Sequence, residues 1–430
     1  MAYNDGEEPR QNYLAGDDLW TLGTSAMGYA ASLDEGRTWT RARIPTPKGI
    51  GALRADPWLA LGPNPGEVYY GFLGTDPSSP GSATRYLVVA RSTDGGRTFP
   101  EVSLVDTYDA EFVDEGCGFP DRITIDADRT SGRLFATWPG IDRRMCVATA
   151  GSFGEPWTPA RLSNCTADFT AANGHVQVAP DGTAYVVTAE WSYQAGIVTY
   201  QLCLHARDAR GEAWSVLGAF AEDSTPRGAQ PAFGDSQMGL SVWHSFDIAA
   251  DGALVVAFVD RAAVQVKCPP CDKPPCLRPC FAFVSHVYVA ENAEGGDRAA
   301  WDYREVAPGV LEHQAQPALS AEGDHYAVSY YETVTELGGD PDLTTSIRVM
   351  TADRFPSLNG DWIPSVLSAE PFEPCPHLGG YFGDYIGIGL LDGEVIDLFF
   401  TAWTDARDGC LERWDFGSTY HQHTYGAISP

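Results

Sequence analysis

The sequence predicts an all-β fold, a six-bladed β-propeller, and three observations carry that prediction. Ser32-Leu33-Asp34-Glu35-Gly36-Arg37-Thr38-Trp39 and Ser92-Thr93-Asp94-Gly95-Gly96-Arg97-Thr98-Phe99 share Ser-x-Asp-x-Gly-Arg-Thr-aromatic, 60 residues apart. In a β-hairpin turn the Asp side chain accepts the loop's own N–H groups, Gly supplies positive φ, and the aromatic ring plugs between neighbouring strands. Second, six short apolar segments each turn back on a second strand, and their openings lie 65, 54 and then about 70 residues apart, a repeat at blade spacing. Third, the 430 residues include 45 Gly, 30 Pro, 12 Trp, 19 Tyr and 19 Phe with few long apolar helical stripes, as a turn-dense all-β chain requires.

The segments follow in order. Asp56 to Leu61 returns through Val68 to Tyr70, Asp121 to Ile125 through Leu134 to Trp138, and His175 to Val178 through Ala184 to Val187. Phe246 to Ala249 returns through Leu254 to Phe258, Pro317 to Ser320 through Tyr326 to Tyr331, and Asp384 to Ile388 through Val395 to Phe400. The strands around the first octapeptide, Met27 to Ala30 and Thr40 to Ile44, have no inner partner of their own, whereas Asp384 to Trp403 supplies inner strands. The two ends are therefore expected to share the closing blade, which removes open sheet edges. No Ser/Pro-rich or charged linker interrupts the pattern, so residues 1–430 read as one domain with a Cys/Pro-rich rim insertion at 267–281.

A formal charge of −30 excludes nucleic acid and anionic membrane surfaces as partners. It also requires any anionic ligand to meet focused arginines. Ten cysteines, an even number, point to an oxidising compartment. The first residues lack a basic region followed by an apolar one, and no stretch approaches a transmembrane run. The expectation is a mature secreted protein, extracellular or periplasmic. Cys268, Cys271, Cys276 and Cys280 lie among five prolines, which favours a disulfide-stapled loop over a zinc knuckle.

In such a ring, first-strand starts and second-strand ends share one face, opposite the Gly and Asp turns. The starts place Arg54, Asp56, Asp121, Arg122, His175, His244, Asp247, His313, Gln316, Asp384 and Tyr385 there. The ends add Trp138, Glu190, Trp191, Asp260, Arg261, Tyr331, Glu332, Trp403, Asp405 and Arg407. A funnel lined by these residues suits a polar ligand, and its aromatic faces suit sugar rings.

The paired octapeptides resemble the Asp box, or BNR repeat, of the sialidase-like β-propellers. That resemblance implies the fold and leaves function to the site. Sialidases hold a sugar carboxylate with three arginines, attack the anomeric carbon with a glutamate-activated tyrosine, and use an aspartate as acid/base. A neutral phenol avoids like-charge repulsion from an anionic sugar acid. Carried over, the resemblance implies Tyr385 as nucleophile, Asp121 or Asp56 as acid/base, and Arg54, Arg122 and Arg261 as the anion clamp, with Asp384, Trp138, Trp403 and Gln316 lining the site. Arg43-Ile44-Pro45 resembles the tail of the family's Phe-Arg-Ile-Pro signature but follows an Asp box, and Trp243-His244 stands where the activating glutamate is expected.

Two other functions stay open. His175, His244 and His313, with Gln316 nearby, resemble the metal-binding histidines of propeller polysaccharide lyases and are the candidate transition-metal ligands. A propeller without the glutamate also serves as a glycan- or protein-binding module. No cofactor is required by the glycosidase reading; Asp340-Pro341-Asp342 is a candidate structural calcium loop.

Overall fold

The computed structural model describes residues 2–5, 26–34, 38–45, 52–75, 85–108, 117, 121–140, 142–195, 197–209, 211, 213–226, 244–266, 280–293, 301–308, 312–322, 325–334, 346–354, 360–368, 371, 386–391, 398–405 and 423–429. Among these the chain forms 26 strands and no helix, arranged as five four-stranded and two three-stranded antiparallel sheets. Among the described residues no helix is long and apolar enough to cross a membrane. Two compact units divide the chain: Met1–Tyr193 with Thr199–Glu222, and Gln194–Val198 with Asp223–Pro430.

The first unit opens with β1 (Ala2–Asp5), β2 (Ala26–Ala31) and β3 (Thr40–Arg43) in one sheet. Ala2 pairs with Tyr29, so these strands do have an inner partner, contrary to the sequence expectation. Three four-stranded meanders follow. They are β4 (Ala52–Leu61), β5 (Val68–Thr75), β6 (Arg85–Ser92) and β7 (Glu101–Tyr108); then β8 (Thr124–Ala127), β9 (Leu134–Pro139), β10 (Met145–Ala150) and β11 (Thr158–Arg161); then β12 (Thr170–Val178), β13 (Ala184–Gln194), β14 (Ile197–Arg207) and β15 (Ser215–Pro226). First strands pack in succession, β1 on β4, β4 on β8 and β8 on β12, as in consecutive propeller blades.

Middle strands such as β6, β9 and β10 are buried on both faces, which explains their near-continuous apolar runs. Along β5, Tyr69 and Leu73 join a core with Ile125, Ala136 and Trp138 of the next sheet, while Tyr70 and Phe72 join Met27 and Tyr29 of the preceding one. The two octapeptide turns are built alike. Asp34 Oδ1 accepts the Ser32 hydroxyl at 2.8 Å and Thr38 N–H at 2.8 Å, and Oδ2 the Thr38 hydroxyl at 2.6 Å. Asp94 repeats this with Ser92 and Thr98 at 2.7, 2.9 and 2.7 Å. The threonine hydroxyls above all hold both carboxyls at about 2. Gly95 and Gly96 take φ of 76° and 79°, which a Cβ would strain. Phe99 then packs edge-on against Tyr29, ring centroids 4.9 Å apart.

Side chains of one first strand also bind the backbone of the next. Val176 N–H donates to Thr124 Oγ1 at 3.2 Å and Val178 N–H to Asp126 Oδ2 at 2.7 Å. Burial raises the Asp126 carboxyl to about 6 from 3.8. Between those values the folded protein keeps a proton that the unfolded chain has released, so stability falls as pH rises through this window. Asp126→Asn keeps an acceptor for Val178 and removes the ionisation. Urea titrations from pH 4 to 6.5 should therefore show the wild type losing about 2 kcal/mol relative to the variant. Parallel pH profiles would mean that Asp126 ionises normally.

The second unit repeats the plan with β16 (His244–Ile248), β17 (Leu254–Val266), β18 (Cys280–Asn292) and β19 (Trp301–Glu305), followed by β20 (Gln314–Glu322), β21 (His325–Val334), β22 (Ser346–Arg354) and β23 (Ile363–Val366). A three-stranded sheet of β24 (Ile386–Leu391), β25 (Leu398–Asp405) and β26 (His423–Ser429) ends the chain. Here Leu319 N–H donates to Ser245 Oγ at 3.0 Å and Ala321 N–H to Asp247 Oδ2 at 2.8 Å, the same inter-sheet staple as in the first unit. Val266 pairs with Cys280, so the Cys/Pro-rich segment joins β17 to β18, its residues 267–279 lying outside the described residues. Among the described residues there are two disulfides, Cys117–Cys146 and Cys165–Cys203.

Candidate functional site

In the first unit the chain departs from regular strand geometry where β4 and β8 begin. The β4–β5 register shifts between Ala55 and Trp58, and the bulge holds Asp56 at φ 60°. Arg122, two residues before β8, stands at φ 46°. Non-glycine residues pay about 1–3 kcal/mol for such backbone, and it persists where surrounding structure enforces it, often at functional sites. Here the enforcement is mutual, because Arg122 N–H donates to Asp56 Oδ2 at 3.0 Å. Asp56 is buried at 7 % exposure, while Asp121 and Arg122 are half-buried. Two residues beyond Asp56, Trp58 meets His175 of β12 edge-on at 4.6 Å between centroids. Three consecutive sheets thus bring together carboxylates, a guanidinium-bearing residue, an indole and an imidazole, a set suited to polar ring ligands.

A buried polar network lies at the end of β13. Glu190, 1 % exposed, accepts Gln201 Nε2 at 2.6 Å, Cys165 N–H at 3.1 and 3.2 Å, and the Thr188 hydroxyl at 3.3 Å. Burial raises the Glu190 carboxyl and pushes the neighbouring His205 down to about 4. Ligand-type atoms of Glu190, Cys203 and His205 lie within 4.8 Å of one another, the one such triad among the described residues. The Cys203 sulfur is bonded to Cys165, however, and a disulfide sulfur is no thiolate ligand. This donor set does not fit a metal while the disulfide stands.

In the second unit, Gln316 sits at φ 47° in the bulge between Ala315 and Ala318 of β20. His244 is buried at the start of β16. His313 Nδ1 accepts Ser285 N–H at 3.2 Å, and burial, with nearby His286, lowers its pKa. Glu332, buried at the end of β21, accepts Gln314 Nε2 at 3.0 Å and Arg348 Nε at 2.9 Å. It occupies the same position in its sheet as Glu190.

The remaining expected residues divide as follows. Trp138 is fully buried in the core between the β4–β7 and β8–β11 sheets, so it offers no face to a ligand, a correction to its expected lining role. Arg54, Arg261 and Trp403 lie in β4, β17 and β25, with side chains outside the described set. Asp384, Tyr385 and Asp340-Pro341-Asp342 lie outside the described residues. His175 belongs to the first unit, His244 and His313 to the second. Sequence reasoning missed Trp58 at the site, although its period-two spacing from Asp56 on a first strand signals it.

No family model and no curated protein matches the chain. Among solved structures, a protein of unknown function from Dyadobacter fermentans DSM 18053 is 13% identical over 90% of this chain and 96% of that chain, with a TM-score of 0.51. That likeness is one of fold alone. An α-L-arabinofuranosidase from Fusarium graminearum with an iminosugar inhibitor is 10% identical over 87% of this chain and 92% of that chain, TM-score 0.44. An α-L-arabinanase from Penicillium chrysogenum complexed with arabinobiose is 10% identical over 86% and 92%, TM-score 0.41.

Proposed function

We propose that this chain is a secreted, sialidase-like six-bladed β-propeller that acts on a glycosidic bond of a bound glycan. The observation that carries the reading is the Asp56–Arg122 pair, two residues in left-handed backbone from adjacent sheets, locked by the 3.0 Å hydrogen bond beside Trp58. Such strain positions a carboxylate and an arginine together at first-strand starts, where the resemblance puts acid/base and clamp. In this reading Asp56 or Asp121 transfers the proton and Arg54 and Arg122 hold the substrate's anion, while Tyr385 as nucleophile and Arg261 as a third arginine keep the roles that the resemblance implies. The two disulfides support an oxidising compartment. Partners are carbohydrate, and no metal is needed.

Binding without turnover is the second reading, favoured by the Asp56 oxygen already occupied by a backbone N–H. A glycan array combined with 4-methylumbelliferyl sialoside, arabinofuranoside and galactoside distinguishes the two. Fluorophore release from the sialoside is the expected result. Array binding without release from any substrate selects the binding module, and neither signal overturns both.

A further inference from the structure

Strand β13 outruns its first-strand partner. Trp191 pairs with Thr170, the first residue of β12, so residues 192–194 extend beyond that strand. Alternation places Val187, Ala189, Trp191 and Tyr193 on one face of β13, and the pairing of Val187 with His175 puts the His175 ring on that same face. The face therefore runs from the Trp58–His175 contact, through buried Val187 and Ala189, to half-buried Trp191 and to Tyr193, which is 47% exposed. From Val187 to Tyr193 is roughly 20 Å along the strand, longer than one sugar ring and comparable with a short oligosaccharide.

The opposite face is tied down. Glu190 binds Gln201 of β14 and the backbone of Cys165, and the Cys165–Cys203 disulfide joins the segment before β12 to β14. Aromatic rings on so fixed a strand stack on a sugar with little further loss of conformational freedom. Unlike Trp138, sealed in a core, they stand at the margin of the sheet end that carries the candidate site.

We propose that Trp191 and Tyr193 form an aromatic ledge for a sugar unit several residues from the chain end held near Trp58 and His175, so that the substrate is an oligosaccharide rather than a lone terminal sugar. This rests on the glycan reading above. Isothermal titration of the full chain with α-2,8-linked sialic acid oligomers and α-1,5-linked arabinose oligomers, two to six units long, tests it. In one series affinity should rise at least tenfold with length. Tyr193→Ala should erase that gain while leaving dimer affinity unchanged, and Tyr193→Phe should keep it. Length-independent binding, wild-type hexamer affinity in Tyr193→Ala, or loss of dimer binding in that variant overturns the ledge alone. Absence of binding in both series overturns the glycan reading and the ledge with it.

Discussion

Asp56→Ala is expected to cut turnover of the fluorogenic sialoside by at least about 100-fold, the usual contribution of a positioned acid/base. It should also cost about 1–3 kcal/mol of stability, because the Arg122 N–H loses its acceptor at 3.0 Å. The residue at position 56 would meanwhile remain at φ 60°, a conformation in which Asp and Asn are better tolerated than Ala. Asp56→Asn separates the two effects. An amide oxygen still accepts the Arg122 N–H, so denaturation midpoints should return close to wild type, but an amide transfers no proton, so kcat should stay low. Wild-type kcat in the Asn variant would move the acid/base role to Asp121.

Replacing Cys165 and Cys203 together with Ser should cost about 3–4 kcal/mol, from a bond whose partners are 38 residues apart. The double variant avoids leaving a lone thiol, and the Cys165 N–H can still reach Glu190, so the loss isolates the cross-link. Chemical denaturation under oxidising conditions reads it directly. A loss below about 1 kcal/mol would mean that the Glu190 hydrogen bonds alone hold the base of β13.

Much of the strand plan was legible in the chain. The pairs running from Asp56 and from Phe246 appear as β4–β5 and β16–β17, because apolar runs punctuated by Asp-Gly or Asn-Pro-Gly turns fix hairpins locally. The octapeptide turns were legible for the same reason, since their hydrogen bonds close within four residues. The site was less so. Positive φ at Asp56, Arg122 and Gln316 is imposed by bulges and by a partner 66 residues away, which no local preference announces. Trp138 was misplaced because strand ends and buried strand interiors carry the same aromatic signal; only the packing of the neighbouring sheet separates them. The Glu190 network needed β14 and the Cys165 segment in contact before its purpose emerged.

The inter-sheet staples have a direction. Thr124 and Asp126 receive N–H groups made 52 residues later, and Ser245 and Asp247 receive groups made 74 residues later. During synthesis these two meanders would thus present two oxygens spaced to catch the strand that follows, and an incoming segment shifted by one residue would miss both. Delivered in ribosomal order, each of these acceptor pairs would be in place before its donors, so that register at these two junctions would be checked from the N-terminal side.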